Sequence, residues 1–527
     1  MPPAGLPARR RAHLVGGGIG SLAAAAFMVR DGGMDGDLIT IYDDHAVPGG
    51  SLDAGGDASG GYRLRGGRMF TTDNYECTWA LFRSIQSLAT PGLTVYDETV
   101  AFNALHRSHA QARLVDRNRA VIETATMGFS MRDRAELLKL FVCEEGSVGP
   151  SAITDWLSPS FFATNFWFLW STTFAFQPWH SAIEFRRYLH RFILEFTRID
   201  TLAGVKRTVF NQYDSLVRPL RSYLEAAGVS FAARCTVTQV ALDPGPDPLV
   251  TGLTIQRDGE TRSIAVSPMD LVILQNASMT DASSFGSMEE PPSRMTKRTS
   301  HGWDLWEVLA AGRPEFGRPA AFNDAVTETV WESFTVTTQG TGFLDAMEAL
   351  SDNEAGTGGL VTFRDSRWLL SIVIPHQPHF PTQPASVTVF WGYALHPARI
   401  GDFVAKPMED CSGMEILQEL CGHLALDLAC FAGATCLPCR LPYITSMFMP
   451  RLKADRPRPV PPRSRNLGFV SQFVEIDDDV VFTVEYSVRA AQIAVYGLLN
   501  LPNVIPPVLR HDRSPALLLE AAFKAFR

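Results

Sequence analysis

The feature that most constrains the fold is an apolar strand that runs directly into a glycine-rich turn. Leu14 and Val15 precede residues 16–20, in which every position except 19 is glycine, and an Ala/Leu segment of helical character follows. A second apolar segment, residues 38–42, ends at Asp43. A strand, a glycine turn, a helix, a second strand and an acidic residue in this order are typical of the dinucleotide-binding unit of parallel sheets. The sequence therefore predicts an α/β fold with a Rossmann-like domain near its amino-terminal end.

Each part of this unit has a predicted role in holding a dinucleotide. Gly16, Gly18 and Gly20 would let the backbone approach the pyrophosphate, and the helix amino terminus offers free N–H groups and a partial positive charge. Asp43 can accept hydrogen bonds from the ribose hydroxyls. Ser21 stands where the usual pattern has its third glycine. Because serine is also small, the helix can still pack closely on the strand.

The composition is that of a globular protein with room for more than one packed unit. The chain has 527 residues, of which 46% are hydrophobic and 20% are charged, and this length suits two or three units with their own cores. The formal net charge of -9 argues against general nucleic-acid binding, which needs a basic surface. The 8 cysteines are too dilute for a disulfide framework, so we expect buried free thiols and no metal site.

Three segments bear on location and lipid contact. Residues 1–12 lack the apolar core of a signal peptide and are predicted to be a flexible tail, so we expect a cytoplasmic protein. Residues 157–182 contain no Asp, Glu, Lys or Arg and many aromatic side chains. Their length would suit a membrane span, but their prolines and polar residues favour an apolar lining inside a domain. The terminal helix, residues 514–527, either packs on the body of the protein or makes a transient contact with the inner face of a membrane.

The rest of the chain has the pattern of mixed helix and strand. Apolar spacings of three and four predict an amphipathic helix over residues 181–196. Features suited to a nucleotide recur late in the chain as well as near its start. An FAD site uses such dispersed segments, whereas an NAD site usually occupies one compact half of a chain, so we expect FAD. Strands are predicted at residues 231–242, 263–275, 368–374, 387–391, 467–472 and 480–485, with a further helix at 490–499.

A series of short motifs resembles those of one enzyme family, in the same order along the chain. They are residues 65–68 (RGGR), 73–79 (DNYECTW), 110–116 (AQARLVD), 176–182 (FQPWHSA), 211–215 (NQYDS), 276–281 (NASMTD), 391–397 (WGYALHP), 442–446 (PYITS) and 482–489 (FTVEYSVR). Together they resemble the oleate hydratases, the fatty acid double-bond hydratases that are also called the myosin-cross-reactive antigen family.

The resemblance implies a hydro-lyase that adds water to the cis-9 double bond of oleic acid and similar unsaturated fatty acids. The products are 10-hydroxy fatty acids, and the family binds FAD without a net redox change. The resemblance also implies a discontinuous FAD-binding domain, a mixed α+β substrate-binding domain and a small C-terminal helical element in a monomer or homodimer. Their ranges are 13–105, 205–300 and 440–505 for the first, 106–204 and 301–439 for the second, and 506–527 for the third.

The same resemblance implies which residues form the site. Tyr188 takes the position of the family's proton-donating tyrosine, with Tyr213 as the fallback donor. Either Arg186 or Arg187 could favour the developing phenolate if it turned inward. Motif and resemblance together give the cofactor-binding residues as Gly16, Gly18, Gly20, Ser21, Asp43, Ser51, Leu52, Arg65, Gly67, Arg68, Met69, Val237, Asn276, Ala277, Ser278, Ser471 and Gln472.

The substrate side of the site departs from the family pattern at two places. Many members have a water-activating glutamate directly after RGGR, where this chain has Met69, which cannot take a proton. The chain therefore resembles the subgroup that lacks this glutamate. Gln212 matches a substrate-site glutamine, but the segment that usually binds the carboxylate with Thr, Asn and His has Val373, Pro375 and His379. Of those three residues only His379 keeps its polar function.

Two other functions are compatible with the same features. A flavin oxidoreductase of the amine oxidase or phytoene desaturase type would share the fold, but it would consume oxygen or another electron acceptor. A lipid-binding surface protein that used the terminal helix would bind a fatty acid without turning it over.

Overall fold

The computed structural model describes residues 10–67, 69–294 and 301–527, so Arg68 and most of the predicted amino-terminal tail lie outside the described residues. Its strands are β1 (Ala12–Val15), β2 (Ile39–Tyr42), β3 (Ala54–Asp57), β4 (Gly61–Leu64), β5 (Leu114–Val115), β6 (Ser230–Ala232), β7 (Cys235–Leu242), β8 (Val250–Arg257), β9 (Glu260–Ala265), β10 (Leu271–Gln275), β11 (Ser284–Phe285), β12 (Trp331–Gln339), β13 (Val361–Phe363), β14 (Leu370–Val373), β15 (Val387–Ala394), β16 (Thr435–Leu441) and β17 (Leu467–Val470). Its α-helices are α1 (Ile19–Arg30), α2 (Glu76–Phe82), α3 (Val95–Leu105), α4 (Met131–Val142), α5 (Glu145–Val148), α6 (Asn165–Phe174), α7 (Ala182–Arg191), α8 (Ile193–Thr197), α9 (Arg218–Ala226), α10 (His301–Ala310), α11 (Ala320–Asn323), α12 (Val326–Thr329), α13 (Gly342–Ser351), α14 (Gly413–Leu424), α15 (Val484–Leu499) and α16 (Pro515–Phe526).

A parallel sheet carries the glycine-rich turn. Its strand order is β17-β10-β1-β2-β6, and every neighbouring pair runs parallel. The strands β1 and β10 are apolar and buried over almost their whole length, as expected where both faces of a parallel sheet are covered. The chain leaves β1 for β2 on one side and reaches β10 on the other, so a crevice opens at the carboxyl edge beside β1. This sheet confirms the predicted Rossmann-like α/β fold.

A larger mixed sheet lies beside it, in the order β11-β16-β12-β15-β14-β13-β5. Its pairs are antiparallel except for β13 and β5. The two faces of the sheet bury different side chains. Phe334, Val336 and Phe390 pack into a hydrophobic core with α13 and α14, whereas Trp331 and Trp391 face the central cavity described below.

The uncharged aromatic segment forms α6 and the turns that flank it. Thr164 caps the helix by accepting a hydrogen bond from the backbone N–H of Trp167, and Ala175 ends it in the left-handed conformation with φ 74°. Phe166 and Trp170 are fully buried. No helix within the described ranges is long and apolar enough to cross a membrane. The segment lines the interior, as the sequence predicts.

Four predicted elements differ from the structure near the site. The predicted strands at 231–242 and 263–275 each divide into two strands of different sheets, β6 and β7 in the first case and β9 and β10 in the second. The predicted strand at 480–485 is wrong, because residues 481–483 form a bend and α15 begins at Val484. The apolar run resembles a strand, but Thr483 accepts a hydrogen bond from the backbone N–H of Tyr486 and so starts a helix. The predicted helix at 181–196 divides into α7 and α8 at Phe192, whose φ of -108° and ψ of 32° are not helical.

The C-terminal helix α16 packs on the body of the protein. Ala521 is buried, and the Lys524 ammonium lies 2.5 Å from a carboxylate oxygen of Asp200. The guanidinium of Arg134 donates a hydrogen bond to the backbone oxygen of Ala525 at 2.8 Å. These contacts confirm the packing prediction, and contact with a membrane surface stays a prediction.

Candidate active site and cofactor groove

A groove runs along the carboxyl edge of the parallel sheet, and we call it the glycine-loop groove. It brings together residues from the ends of β1, β2, β10 and β17 that are far apart in sequence. Of the predicted cofactor-binding residues, those that line it are Gly16, Gly18, Gly20, Asp43, Ser51, Leu52, Arg65, Val237, Ala277, Ser278, Ser471 and Gln472.

The floor of this groove has no room for side chains. A Cβ atom at Gly17 would lie 2.0 Å from Oδ2 of Asp43, and one at Gly18 would lie 2.5 Å from Nε2 of Gln275. The N-cap residue of α1 is Gly18, which has no side chain to cap the helix, so among the described residues its first N–H groups remain available to an anion. Gly16 has a φ of +92°, which a residue with a side chain rarely adopts. These observations fit the pyrophosphate of a dinucleotide.

Asp43 stands where a ribose hydroxyl acceptor is needed. It is buried, and Oδ1 accepts a hydrogen bond from the backbone N–H of His45 at 3.0 Å. Burial raises the pKa of Asp43. Hydrogen bonding to Asp43 and to Asp44 raises the pKa of His45 to about 10, so a cationic imidazole compensates this acidic pair at neutral pH.

Some predicted cofactor residues lie beneath the groove or beside it. Ser21 is buried in α1, and the amide of Asn276 donates to the backbone oxygen of Phe473 at 3.0 Å. These two residues support the groove and do not line it. Gly67 and Met69 line the central cavity instead. Gln275 also lines the groove; the end of its apolar strand pointed to the cofactor, but Gln275 itself was not among the predicted binding residues.

A second space, which we call the central cavity, adjoins this groove. Its walls are mainly apolar and aromatic, which suits an acyl chain. Phe482, Thr483 and Val484 line both the central cavity and the groove, so the two spaces share a wall. Among the described residues of its wall, Glu195 is the one carboxylate, and Oε1 of Glu195 is 2.7 Å from Nη2 of Arg198.

Tyr188 projects from α7 into the wall of the central cavity. Its hydroxyl donates a 2.6 Å hydrogen bond to the backbone oxygen of Val481. The ring centroids of Phe174 and Phe192 lie 5.2 and 5.3 Å from that of Tyr188. Burial, and then the nearby Tyr75, Glu184 and Asp479, raise the pKa of Tyr188 well above its usual value. The phenol therefore keeps its proton at neutral pH, as a general acid must.

The two arginines that precede Tyr188 turn away from its hydroxyl. Nε of Arg186 donates to the backbone oxygen of Cys143 at 2.9 Å. Arg187 lies 2.7 Å from both Glu145 and Glu475. Neither guanidinium is placed to stabilise a Tyr188 phenolate, so the role suggested for them is not supported.

Buried ion pairs instead fix α7 against the segment that accepts the Tyr188 hydrogen bond. Besides the Arg187–Glu475 pair, Arg191 lies 2.6 Å from Glu76 and 3.3 Å from Asp479. Removing one member of such a buried pair costs about 3–5 kcal/mol because the other charge is left uncompensated. The ion pairs therefore hold the tyrosine in a defined position.

A further recess, which we call the Gln212 pocket, opens from the central cavity. Gly67, Met69 and Trp391 line both spaces. The structure brings Gln212, Met69 and His379 together here, as the sequence predicts for the substrate-binding residues. The fallback donor Tyr213 packs against Gly49 instead, where a Cβ atom would lie 3.2 Å from its ring.

His379, one of the polar residues that line the Gln212 pocket, carries no charge. Burial lowers the pKa of His379 to about 3, so its imidazole is neutral at physiological pH. Its Nε2 has no hydrogen-bond partner within the described part of the chain. Val373 and Pro375 also line the pocket and contribute no polar side-chain atom.

Comparison with known proteins places the chain in a family. The MCRA family profile matches residues 9–496. A Streptococcus pyogenes protein named oleate hydratase is 37% identical over 513 residues, covering 94% of this chain and 86% of that protein. A Lactiplantibacillus plantarum protein named linoleate hydratase is 34% identical over 571 residues, covering 98% and 99%.

Solved structures share the fold at much lower sequence identity. Cyclohexylamine oxidase from Brevibacterium oxydans aligns with a TM-score of 0.52 at 11% identity, covering 93% of this chain and 99% of that chain. A putrescine oxidase bound to putrescine aligns with a TM-score of 0.51 at 11% identity, with the same coverage. At this identity the likeness concerns the fold alone. The family profile and the two sequence relatives show that the chain belongs to the MCRA family.

Proposed function

We propose that the chain is a fatty acid hydratase that adds water to the cis-9 double bond of oleic acid to give 10-hydroxystearic acid. The observation that carries this proposal is an apolar cavity with Tyr188 in its wall, joined to a dinucleotide groove on one side and to the Gln212 pocket on the other. Burial of each methylene of the acyl chain contributes about 0.8 kcal/mol. The relatives named oleate hydratase and linoleate hydratase support the same substrate class.

We further propose that the groove binds FAD. The glycine turn and the amino terminus of α1 would hold the pyrophosphate, and Asp43 would accept hydrogen bonds from the ribose. When bound, FAD supplies a planar polar ring system and transfers no net electrons in this reaction. The five parallel strands support the division of the chain proposed above, because they come from residues 13–105, 205–300 and 440–505, apart from Ala12.

In the proposed mechanism Tyr188 begins the reaction as the acid. Its hydroxyl proton forms the new C–H bond at C9 with the electron pair of the alkene, and positive charge develops at C10. The faces of Phe174 and Phe192 stabilise that charge by cation–π attraction, which strengthens where water is excluded. Water then forms the C–O bond at C10 and loses a proton, and a proton returned to the phenolate completes a net addition of water.

Incubation with oleic acid in water labelled with heavy oxygen tests the proposed reaction. We expect a product that has gained one labelled water, with no consumption of oxygen or of another electron acceptor. A product that has lost two hydrogens, with oxygen consumed, would identify a flavin oxidoreductase instead. Binding of oleic acid without any product would identify a lipid-binding protein.

Met69 offers a second test of the mechanism. We expect Met69→Glu to hydrate oleic acid severalfold faster, because a carboxylate beside the cavity can accept the proton of the attacking water. The rate of that variant should fall as the pH is lowered through the pKa of the new carboxyl group. Met69→Gln has nearly the same size without a basic group and serves as the control. Equal rates for all three proteins would show that this position has no part in water activation.

A further inference from the structure

One cation in the Gln212 pocket has no counter-ion within the described part of the chain. The guanidinium of Arg207 lines this pocket, and among the described residues of the lining there is no carboxylate. Nη1 donates to Oγ of Ser108 at 2.6 Å and to the backbone oxygen of Gly356 at 2.8 Å. Nη2 is shielded from solvent and has no hydrogen-bond partner within residues 10–67, 69–294 and 301–527.

The backbone at Gly359 passes close to Nη2 of Arg207. A Cβ atom at Gly359 would lie 2.0 Å from Nη2 of Arg207, so no other residue type could stand there without moving the guanidinium. Gly359 also has a φ of +75°, which favours glycine. The loop before β13 therefore makes a close approach to the guanidinium without offering it an anion.

A guanidinium without a counter-ion destabilises the folded protein unless an anion compensates its charge. Burial lowers the pKa of Arg207 to about 10, so the side chain remains protonated at neutral pH. Arg207 is partly buried, but its Nη2 is shielded from solvent and unsatisfied, and this carries a desolvation penalty that an incoming anion removes. The other polar side chains of the pocket add no negative charge; they are Thr208, Gln212, His376 and the neutral His379.

We infer that Arg207 binds the carboxylate of the fatty acid substrate, with Nη2 donating a charge-assisted hydrogen bond to it. The inference rests on the proposed function and deepens it, since it fixes the direction of the chain. The carboxylate lies in the Gln212 pocket, the acyl chain passes Met69, and the double bond lies in the central cavity beside Tyr188. Arg207 supplies the polar recognition that Val373 and Pro375 cannot. The site therefore takes free fatty acid anions in preference to alcohols or esters of the same length.

The test compares oleic acid with oleyl alcohol, which has the same alkene and no charge. We expect Arg207→Gln to raise KM for oleic acid about 10- to 30-fold, because a hydrogen bond to a charged group is lost. KM for oleyl alcohol should stay the same. Arg207→Lys keeps the positive charge but lacks the planar guanidinium, so its KM for oleic acid should lie between those of the unmodified enzyme and Arg207→Gln. Arg218→Gln is the matched control, since Arg218 is half exposed on α9 and pairs with Asp214.

Each outcome decides the inference separately from the proposed function. If the unmodified enzyme hydrates oleic acid but Arg207→Gln changes KM equally for both substrates, the inference is overturned and the proposed function stands. Absence of hydration by the unmodified enzyme would overturn the function itself. If Arg207→Gln does not fold, competition in the unmodified enzyme decides. Stearate should inhibit about tenfold better than 1-octadecanol, and equal inhibition would contradict the inference.

Discussion

Replacing Tyr188 by phenylalanine should lower the rate of oleic acid hydration by about 10²- to 10⁴-fold, the range that a positioned general acid contributes. The substitution removes only the hydroxyl, so the contacts of the ring with Phe174 and Phe192 remain. The backbone oxygen of Val481 loses its hydrogen bond, at a cost of about 1 kcal/mol in the free energy of unfolding. Single-turnover rates measured beside thermal unfolding separate the loss of chemistry from the loss of stability.

Tyr213→Phe is the matched control for this prediction. Tyr213 is the other tyrosine that the sequence offers as a donor, but its ring packs against Gly49 beside the groove. We expect this variant to retain most of the hydration rate. A large loss in Tyr213→Phe combined with a normal rate in Tyr188→Phe would reverse the assignment of the acid.

Replacing Gly17 by alanine should weaken flavin binding by about 100-fold. The added Cβ atom would lie 2.0 Å from Oδ2 of Asp43 and 3.0 Å from the side chain of Pro48, so the floor of the groove must shift. Forcing an extra carbon into a packed site costs up to about 3 kcal/mol. The displaced carboxylate is also the group expected to bind the ribose. Equilibrium titration of the apoprotein with FAD, followed by flavin fluorescence, measures the change.

Gly342→Ala serves as the control for this substitution. Gly342 begins α13 on the far side of the mixed sheet, and an added Cβ atom there meets no atom within 4 Å. We expect that variant to bind FAD as tightly as the unmodified protein. Unchanged FAD affinity in Gly17→Ala would show that the cofactor does not occupy the glycine turn.

The parts of the site that depend on local sequence could be predicted, and those that depend on long-range packing could not. The glycine turn and Asp43 belong to one βαβ unit, so spacing alone locates them. The predicted strand at 480–485 was wrong because a short apolar run is compatible with either a strand or the start of a helix, and the hydrogen bond from the Tyr486 N–H to Thr483 decides for the helix. The absence of a carboxylate near Arg207 among the described pocket residues could not be predicted either, because the pocket is formed by segments that are far apart in the sequence.

The placement of Tyr188 could be predicted in part from local sequence, but its hydrogen bond and the ion pairs around it could not. Helical periodicity places Tyr188 on the inward face of an amphipathic helix, and the family resemblance supplies its role. The carbonyl that accepts its hydrogen bond comes from Val481, which is 293 residues away in the sequence. The ion pairs of Arg187 and Arg191 likewise join segments that no local pattern connects.

The bend before α15 connects the glycine-loop groove with the central cavity. Val481 accepts the proton-donor hydrogen bond, and the next three residues form the partition between groove and cavity. A cofactor that displaced this bend on binding would change the hydrogen bond that restrains the tyrosine. Occupancy of one chamber would then alter affinity in the other by the same factor in both directions. This short segment therefore links the contents of the groove to the hydrogen bond of the tyrosine in the central cavity.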